Sequence, residues 1–338
     1  NADRGSSWRN IGGGRTAFSL PELAEIAAQN HHIFKELQYL SNIDYKPIRY
    51  ISFAHDEETY KALEASKAWS KAEMIAPKQF REEISPYFNA NPKKYISALV
   101  SEDCWQATPG KVVDLVRNLG IAAGGTVMED CRVLEACREG KYTSVLVQTH
   151  DKKYVEYRTE HFVNALGSGA GKLCDSMGID AGLYPVRHQA FITRRLPMLG
   201  KHGTNLDMLI DRQDYKGFSA VYGQQIAYTG QIIGCASPKL DAMRIDKNLK
   251  VNTKAFLEIV SEMFSEWIPD LAGVGIQAVW AGYYTEPRYI VDPELGLFVG
   301  MCGHGFMLSQ YIARMYVDKL LGRPVPEYFE KLKLNGPG

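Results

Sequence analysis

Glycine-rich backbone recurs at the two ends of this 338-residue chain, and that repetition constrains the fold more than any other feature. Near the start stands Gly5-Ser6-Ser7-Trp8-Arg9-Asn10-Ile11-Gly12-Gly13-Gly14-Arg15. Near the finish stand Trp280-Ala281-Gly282-Tyr283-Tyr284 and Gly303-His304-Gly305-Phe306-Met307. Glycine lets backbone N–H groups approach a phosphate or a ring closely, so two such segments far apart in sequence imply a chain that returns to one flat ligand. Arg15 gives that site a fixed positive charge, and a guanidinium presents a planar fork to a carboxylate. A linker is the alternative reading of the triple glycine, yet Arg9, Asn10 and Arg15 bracket it, and polar groups need partners when buried. Gly303-His304-Gly305 ahead of a helix offers N–H groups at a positive dipole end, suited to an electron-rich ring edge. His304 alone reads more readily as structural than as catalytic. Tyr283 and Tyr284 suit a pocket and a core equally.

Composition narrows the ligand class. The 39 basic residues balance 39 acidic ones, so no electrostatic footprint argues for nucleic acid. Six cysteines (Cys104, Cys131, Cys137, Cys174, Cys235, Cys302) are scattered without a CxxC pair, and no HExxH occurs. Neither a metal site nor a disulfide framework is signalled, and a reduced, cytoplasmic protein is expected. Cys302 reads as a small core residue. No run approaches the roughly 18 apolar residues that span a bilayer. The length suggests about two domains.

Ser19-Leu20-Pro21-Glu22 has capping-box spacing, and Leu23, Ile26, Ala27, Ile33, Phe34, Leu37 and Leu40 follow at helical intervals, predicting a helix over 20–40. Residues 48–54 read as a strand, 57–70 and 77–85 as helices, and Thr108-Pro109 opens a helix closed by Gly120. Strands are expected over 126–135, 142–149, 153–158 and 161–166, as a meander returning to the main sheet; 186–236 is expected to be antiparallel sheet. Helices are predicted over 252–267 and 308–321, and Lys331 and Lys333 read as a solvated tail. Gly167-Ser168-Gly169-Ala170-Gly171 fails as a dinucleotide fingerprint, because Lys172 stands where GxGxxG needs glycine and Arg187-His188 where an acidic residue should follow. A tight strand-to-helix turn is the preferred reading.

The ordered motifs resemble the FAD-dependent amine and amino-acid oxidoreductases grouped with D-amino-acid oxidase, glycine oxidase, sarcosine oxidase and archaeal dye-linked proline dehydrogenases. Gly5 through Arg15 is similar to that family's flavin loop, Val163-Asn164-Ala165-Leu166-Gly167 to its VNAxG strand end, and Pro185-Val186-Arg187 to its PxRGQ crossover, with His188 in place of the usual glycine. Trp280-Ala281-Gly282 resembles the WAG segment and Gly303-His304-Gly305-Phe306 the GHGF loop. The resemblance implies an α/β (α+β) fold in which a glutathione-reductase-type FAD-binding domain (1–45, 96–185 and 281–338) interleaves with an antiparallel-sheet substrate domain (46–95 and 186–280). It assigns FAD to Ser6, Ser7, Arg9, Asn10, Gly12, Gly13, Val133, Asn164, Ala165, Gly167, Gly282, Gly303, His304, Gly305, Phe306 and Met307.

The resemblance further implies hydride transfer from the α-carbon of a small amino acid (proline, sarcosine or glycine type) to flavin N5. Arg15 would clamp the carboxylate, with Tyr283, Tyr284 and His304 as the other catalytic candidates. Gly282 and Met307 stand where sarcosine oxidases carry a flavin-linking cysteine and an oxygen-activating lysine. Non-covalent FAD follows, and a dehydrogenase is favoured over an oxidase. The electron acceptor would be a quinone, a dye or oxygen, the first placing the protein at the inner face of a membrane; a partner subunit or homo-oligomer is also expected. The family's first strand, GxGxxG turn and ribose-binding acid would precede Asn1, so a protein beginning there should bind FAD poorly. The rivals are a hydroxy-acid or glycerol-phosphate dehydrogenase and a non-catalytic flavoprotein-like subunit.

Overall fold

Strand side chains alternate between faces, and the strands of this chain use the two faces for different purposes. In the computed structural model, which describes residues 5–89, 91–213, 218–238, 253–287 and 289–334, α1 (Ser6–Arg9) and β1 (Gly13–Gly14) lead into α2 (Pro21–Leu40), β2 (Lys46–Ala54), α3 (Glu57–Ala65), β3 (Ala72–Ile75), α4 (Phe80–Glu83), β4 (Ser97–Gln106) and α5 (Pro109–Ala122). Next come β5 (Arg132–Glu139), β6 (Tyr142–Gln148), β7 (Tyr154–Thr159), α6 (Ala170–Ser176), β8 (Tyr184–Arg195), β9 (Met208–Asp211), β10 (Phe218–Gln225) and β11 (Gln231–Pro238). The chain closes with α7 (Thr253–Trp267), β12 (Ile276–Glu286), β13 (Ile290–Asp292), β14 (Leu297–Val299) and α8 (Gly305–Leu320).

A nine-stranded sheet runs β1-β4-β2-β9-β10-β11-β8-β12, with β3 on β4. Every pairing is antiparallel except β2 with β9. Ile51, Phe191, Leu209, Val221 and Ala236 point to one face and pack with Phe256, Val260, Met263, Phe264 and Trp267 of α7. Their neighbours Tyr50, Ala190, Met208, Ile210, Tyr222 and Cys235 point the other way and line a cavity. A second core joins Leu23, Ile26, Ala27, Phe34 and Leu37 of α2 to Leu308, Ile312 and Met315 of α8, over the fully buried Trp105. The two domains assigned from sequence share this sheet, since β4 of the first pairs with β2 of the second. We propose the division as a functional one around a common sheet.

Several local expectations are corrected. The helix α2 begins at Pro21 with Leu20 as its N-cap and no side-chain cap; Pro pre-set the backbone without help from Ser19. Gly120 lies inside α5, which runs on to Ala122. The helices expected over 57–70 and 77–85 shorten to α3 and α4 flanked by 3-10 turns. The strand expected from 126 starts at Arg132, and 161–166 contributes one isolated bridge, Asn164 to Leu297. The β5–β7 meander forms its own three-stranded sheet and does not rejoin the main one. The last helix starts at Gly305, a turn before the expected 308. Lys331 and Lys333 are not a loose tail: they pair with Glu22, and with Glu294 and Glu330. Within 186–236, residues 214–217 lie outside the described set, as does residue 252 of the predicted helix.

Candidate active site

The cavity, of about 360 Å³, lies between the free face of the sheet, the N-terminal loop and the start of α8. The loop is laced to β12. Ser6 Oγ donates to the Tyr283 carbonyl at 2.6 Å and accepts from the Tyr283 N–H at 3.2 Å. Arg9 Nη1 donates to the Ala281 carbonyl, and Trp280 Nε1 donates back to the Arg9 carbonyl at 2.7 Å. Asn10 shapes the turn by accepting from the Gly12 N–H at 2.8 Å and donating to the Ser7 carbonyl. The two glycine-rich ends therefore do meet.

Close approach explains two of the glycines. A Cβ on Gly13 would stand 2.1 Å from the Tyr50 hydroxyl, and one on Gly303 would stand 2.4 Å from the Tyr284 ring. Either would push an aromatic wall into the cavity. Helix α8 starts at this point with His304 as N-cap and no side-chain cap, leaving its dipole end for a ligand. His304 itself is held: its Nδ1 hydrogen-bonds the Tyr289 hydroxyl at 2.6 Å and its ring meets Phe18 edge-on at 5.4 Å.

Arg15 lies beneath this loop, donating to the Ala17 carbonyl, with Cζ 4.0 Å from the Phe18 ring centroid. Burial, and then repulsion from Arg212, lower its pKa to about 10, which leaves it charged at neutral pH. Across the cavity Tyr284 shares a 2.8 Å hydrogen bond with Tyr222 and stacks on His188 at 3.5 Å between centroids. His188 Nδ1 meets Ser237 Oγ at 3.0 Å. Burial pushes His188 down to about 3 and both tyrosines well above their usual range. This wall is therefore polar and uncharged. Cys302, expected in a core, is half-buried at the cavity and donates to Glu286 Oε1 at 2.7 Å.

Of the residues singled out from sequence, Ser6, Arg9, Asn10, Gly12, Gly13, Arg15, Gly282, Tyr283, Tyr284, Gly303, His304, Phe306 and Met307 line this cavity. Ser7, Val133, Asn164, Ala165, Gly167 and Gly305 are not among its lining residues. Val133 packs against the β5–β7 sheet core. Asn164 is fully buried and braces the turn ahead of α6, donating to the Ala170 carbonyl and accepting from the Leu166 N–H. Sequence reasoning missed Tyr50, Met208, Tyr222, Cys235 and Ser237, whose only local signal is strand alternation, and Arg212, which follows β9.

No acidic side chain lines the cavity among the described residues, an uncapped helix start faces it, and glycines open its floor. Such a site suits a flat, electron-rich ring. The chain belongs to the FAD dependent oxidoreductase family, DAO, which matches residues 1–319. It is therefore an FAD-dependent oxidoreductase, and the site residues fit the ring end of FAD. Its fold is similar to L-proline dehydrogenase from P. horikoshii (23% identity over 97% of this chain and 87% of that one, TM-score 0.79). It is also similar to glycine oxidase from Geobacillus kaustophilus (16%, 99% and 90%, TM-score 0.78). A third similar structure is L-alpha-glycerophosphate oxidase from Mycoplasma pneumoniae with FAD bound (16%, 99% and 90%, TM-score 0.73). No curated protein matches the chain. Among the described residues no helix is long and apolar enough to cross a membrane, and no group of residues could hold a metal ion.

Proposed function

We propose that the chain oxidises a small amino acid of the proline, sarcosine or glycine type. The observation that carries this reading is Arg15, a half-buried cation at a cavity with no acidic lining residue among the described residues, which also holds a neutral tyrosine pair. FAD supplies the hydride acceptor when bound. Arg15 clamps the carboxylate through its planar fork, fixing which face of the α-carbon is presented. The Tyr222–Tyr284 pair orients the amine, since two phenols held neutral by burial can donate and accept but cannot act as strong bases. Neutral His188 adds no cation to repel the amine and no strong base to deprotonate it, so the substrate enters with its amine already neutral. Gly303, Gly305 and Phe306 offer N–H groups at the α8 terminus toward negative charge on the ring, the His304 N–H being spent on the Met301 carbonyl. Met307, buried beside the cavity, gives oxygen no cationic assistance, which favours a dehydrogenase over an oxidase.

The test is an absorption spectrum of the flavin-loaded protein before and after proline, sarcosine and glycine. Anaerobic bleaching by at least one of them is expected. Bleaching by none, or by glycerol phosphate in their place, refutes the reading.

A further inference from the structure

The tyrosine pair in the cavity wall is held from behind. Tyr222 stands on β10 and Tyr284 on β12, with β11 and β8 between them in the sheet. Their hydroxyls are nevertheless 2.8 Å apart, so the two phenols lean toward each other across the intervening strands. A ring free to turn about its side-chain torsions would keep such a pose for only part of the time. Tyr284 is not free to turn. His188 of β8 stacks on it, with 3.5 Å between ring centroids and 23° between planes. Gly282, the residue opposite His188 on β12, has no side chain to compete for that space. The imidazole is keyed in its turn: Nδ1 hydrogen-bonds Ser237 Oγ at 3.0 Å, which ties the ring to the neighbouring strand β11. At the hydroxyl end of Tyr284, Gly303 comes so close that a Cβ there would stand 2.4 Å from the ring and 2.7 Å from the hydroxyl oxygen. The phenol is thus fixed on its face by His188 and at its tip by backbone.

We propose that His188 is a positioning residue: keyed by Ser237, it is the support on which Tyr284 lies, and it sets where the Tyr222–Tyr284 hydroxyl pair meets the substrate amine. This rests on the amino-acid reading above and adds the side chain that fixes the orientation. Stacking alone suffices for the role, without contact between His188 and substrate. Because burial pushes the His188 pKa down to about 3, the ring stays uncharged at neutral and alkaline pH, and the stack does not come and go with pH. Displacing an orienting group by about 1 Å can slow a reaction about a hundredfold. The loss should fall on kcat and leave KM nearly alone, since Arg15 still holds the carboxylate.

The experiment compares wild type with three variants: His188→Ala removes the support, His188→Phe keeps a flat ring without the Ser237 bond, and His188→Asn keeps a partner for Ser237 without the ring. Each is assayed at matched flavin content with the best amino-acid substrate, and crystallised to measure the separation of the Tyr222 and Tyr284 hydroxyls. His188→Ala should lower kcat about tenfold to about a hundredfold, with KM within about threefold of wild type and the loss level from about pH 6 to about pH 9. His188→Phe should recover most of that loss and His188→Asn little of it. In a Tyr284→Phe background, His188→Ala should cost less than about twofold more, because both changes act through one hydroxyl. In the crystals the hydroxyls should part in His188→Ala and stay bonded in His188→Phe. A wild-type kcat in His188→Ala, recovery by asparagine in place of phenylalanine, full additivity with Tyr284→Phe, or an unmoved hydroxyl pair overturns the proposal. If His188→Ala does not fold, the contrast between the phenylalanine and asparagine variants decides. The crystallographic readout needs no substrate and so separates the two readings. Parted hydroxyls in a protein whose wild type oxidises no amino acid remove the proposed reaction and keep the support, whereas amino-acid turnover with an unmoved pair removes the support alone.

Discussion

Replacing Arg15 with alanine isolates the contact that the substrate assignment depends upon. The guanidinium is pre-placed by the Ala17 carbonyl and the Phe18 ring, so a bound carboxylate meets donors that need little reordering. Losing one partner of a desolvated, hydrogen-bonded charge pair costs about 2–5 kcal/mol. At about 1.4 kcal/mol per decade that is a fall in kcat/KM of about 30-fold to about 4000-fold. Because the Arg15 pKa of about 10 lies well above neutrality, the loss should be level between about pH 6 and about pH 8. The assay is dye-linked turnover at matched flavin content, with flavin measured separately by absorbance. A decarboxylated analogue of the best substrate serves as control, and for it wild type and variant should differ little. Turnover of the carboxylate substrate within about threefold of wild type, at equal flavin content, would show that the carboxylate binds elsewhere.

Three further outcomes follow from the geometry. Met307→Lys places a cation beside the cavity and should speed reoxidation of the reduced protein by oxygen, and an unchanged stopped-flow rate would count against the dehydrogenase assignment. Gly303→Ala should lower stability by about 1–3 kcal/mol and weaken flavin retention, because its methyl would collide with the Tyr284 ring; chemical denaturation and a flavin release assay read both. His55→Gln should destabilise the protein most at low pH. Burial lowers the His55 pKa, but Asp211 outweighs it and raises the folded value above normal, so the stabilisation is full below the unfolded value of about 6.5 and fades as pH rises through the folded one. A melting-temperature gap between wild type and variant that does not shrink from about pH 5.5 to about pH 9 would refute that linkage.

The parts of this molecule that sequence could reveal are those whose signal is local. Helix α2 announces itself through Leu23, Ile26, Ala27, Phe34 and Leu37 at helical spacing, and all five are buried. The glycine segments declare a close approach, and Ser6, Arg9 and Trp280 realise it. By contrast, Tyr222, Tyr50 and Met208 reach the cavity through the pairing of β2 with β9 and β9 with β10. A one-residue slip in that register would turn each to the opposite face, and nothing near those residues in the chain fixes it. The start of α8 at Gly305 is hidden for a related reason: His304 is its N-cap and gives no side-chain cap for the sequence to announce. Asn164 shows the reverse case, a motif residue whose described bonds are spent on the turn around it.

The lacing of the N-terminal loop to β12 also sets when the site can exist. Ser6 and Tyr283 are separated by 277 positions, and Arg9 and Ala281 by 272. During synthesis the loop can settle on β4 early, through the β1–β4 pairing and the Ala107 N–H bond to the Gly12 carbonyl, but its Ser6 and Arg9 contacts wait until β12 has been made. Contacts of such long range form late and fold slowly. The cavity is consequently a post-translational object: nascent chains halted before β12 should carry no flavin-ring pocket, whatever fraction of the sheet they have already built.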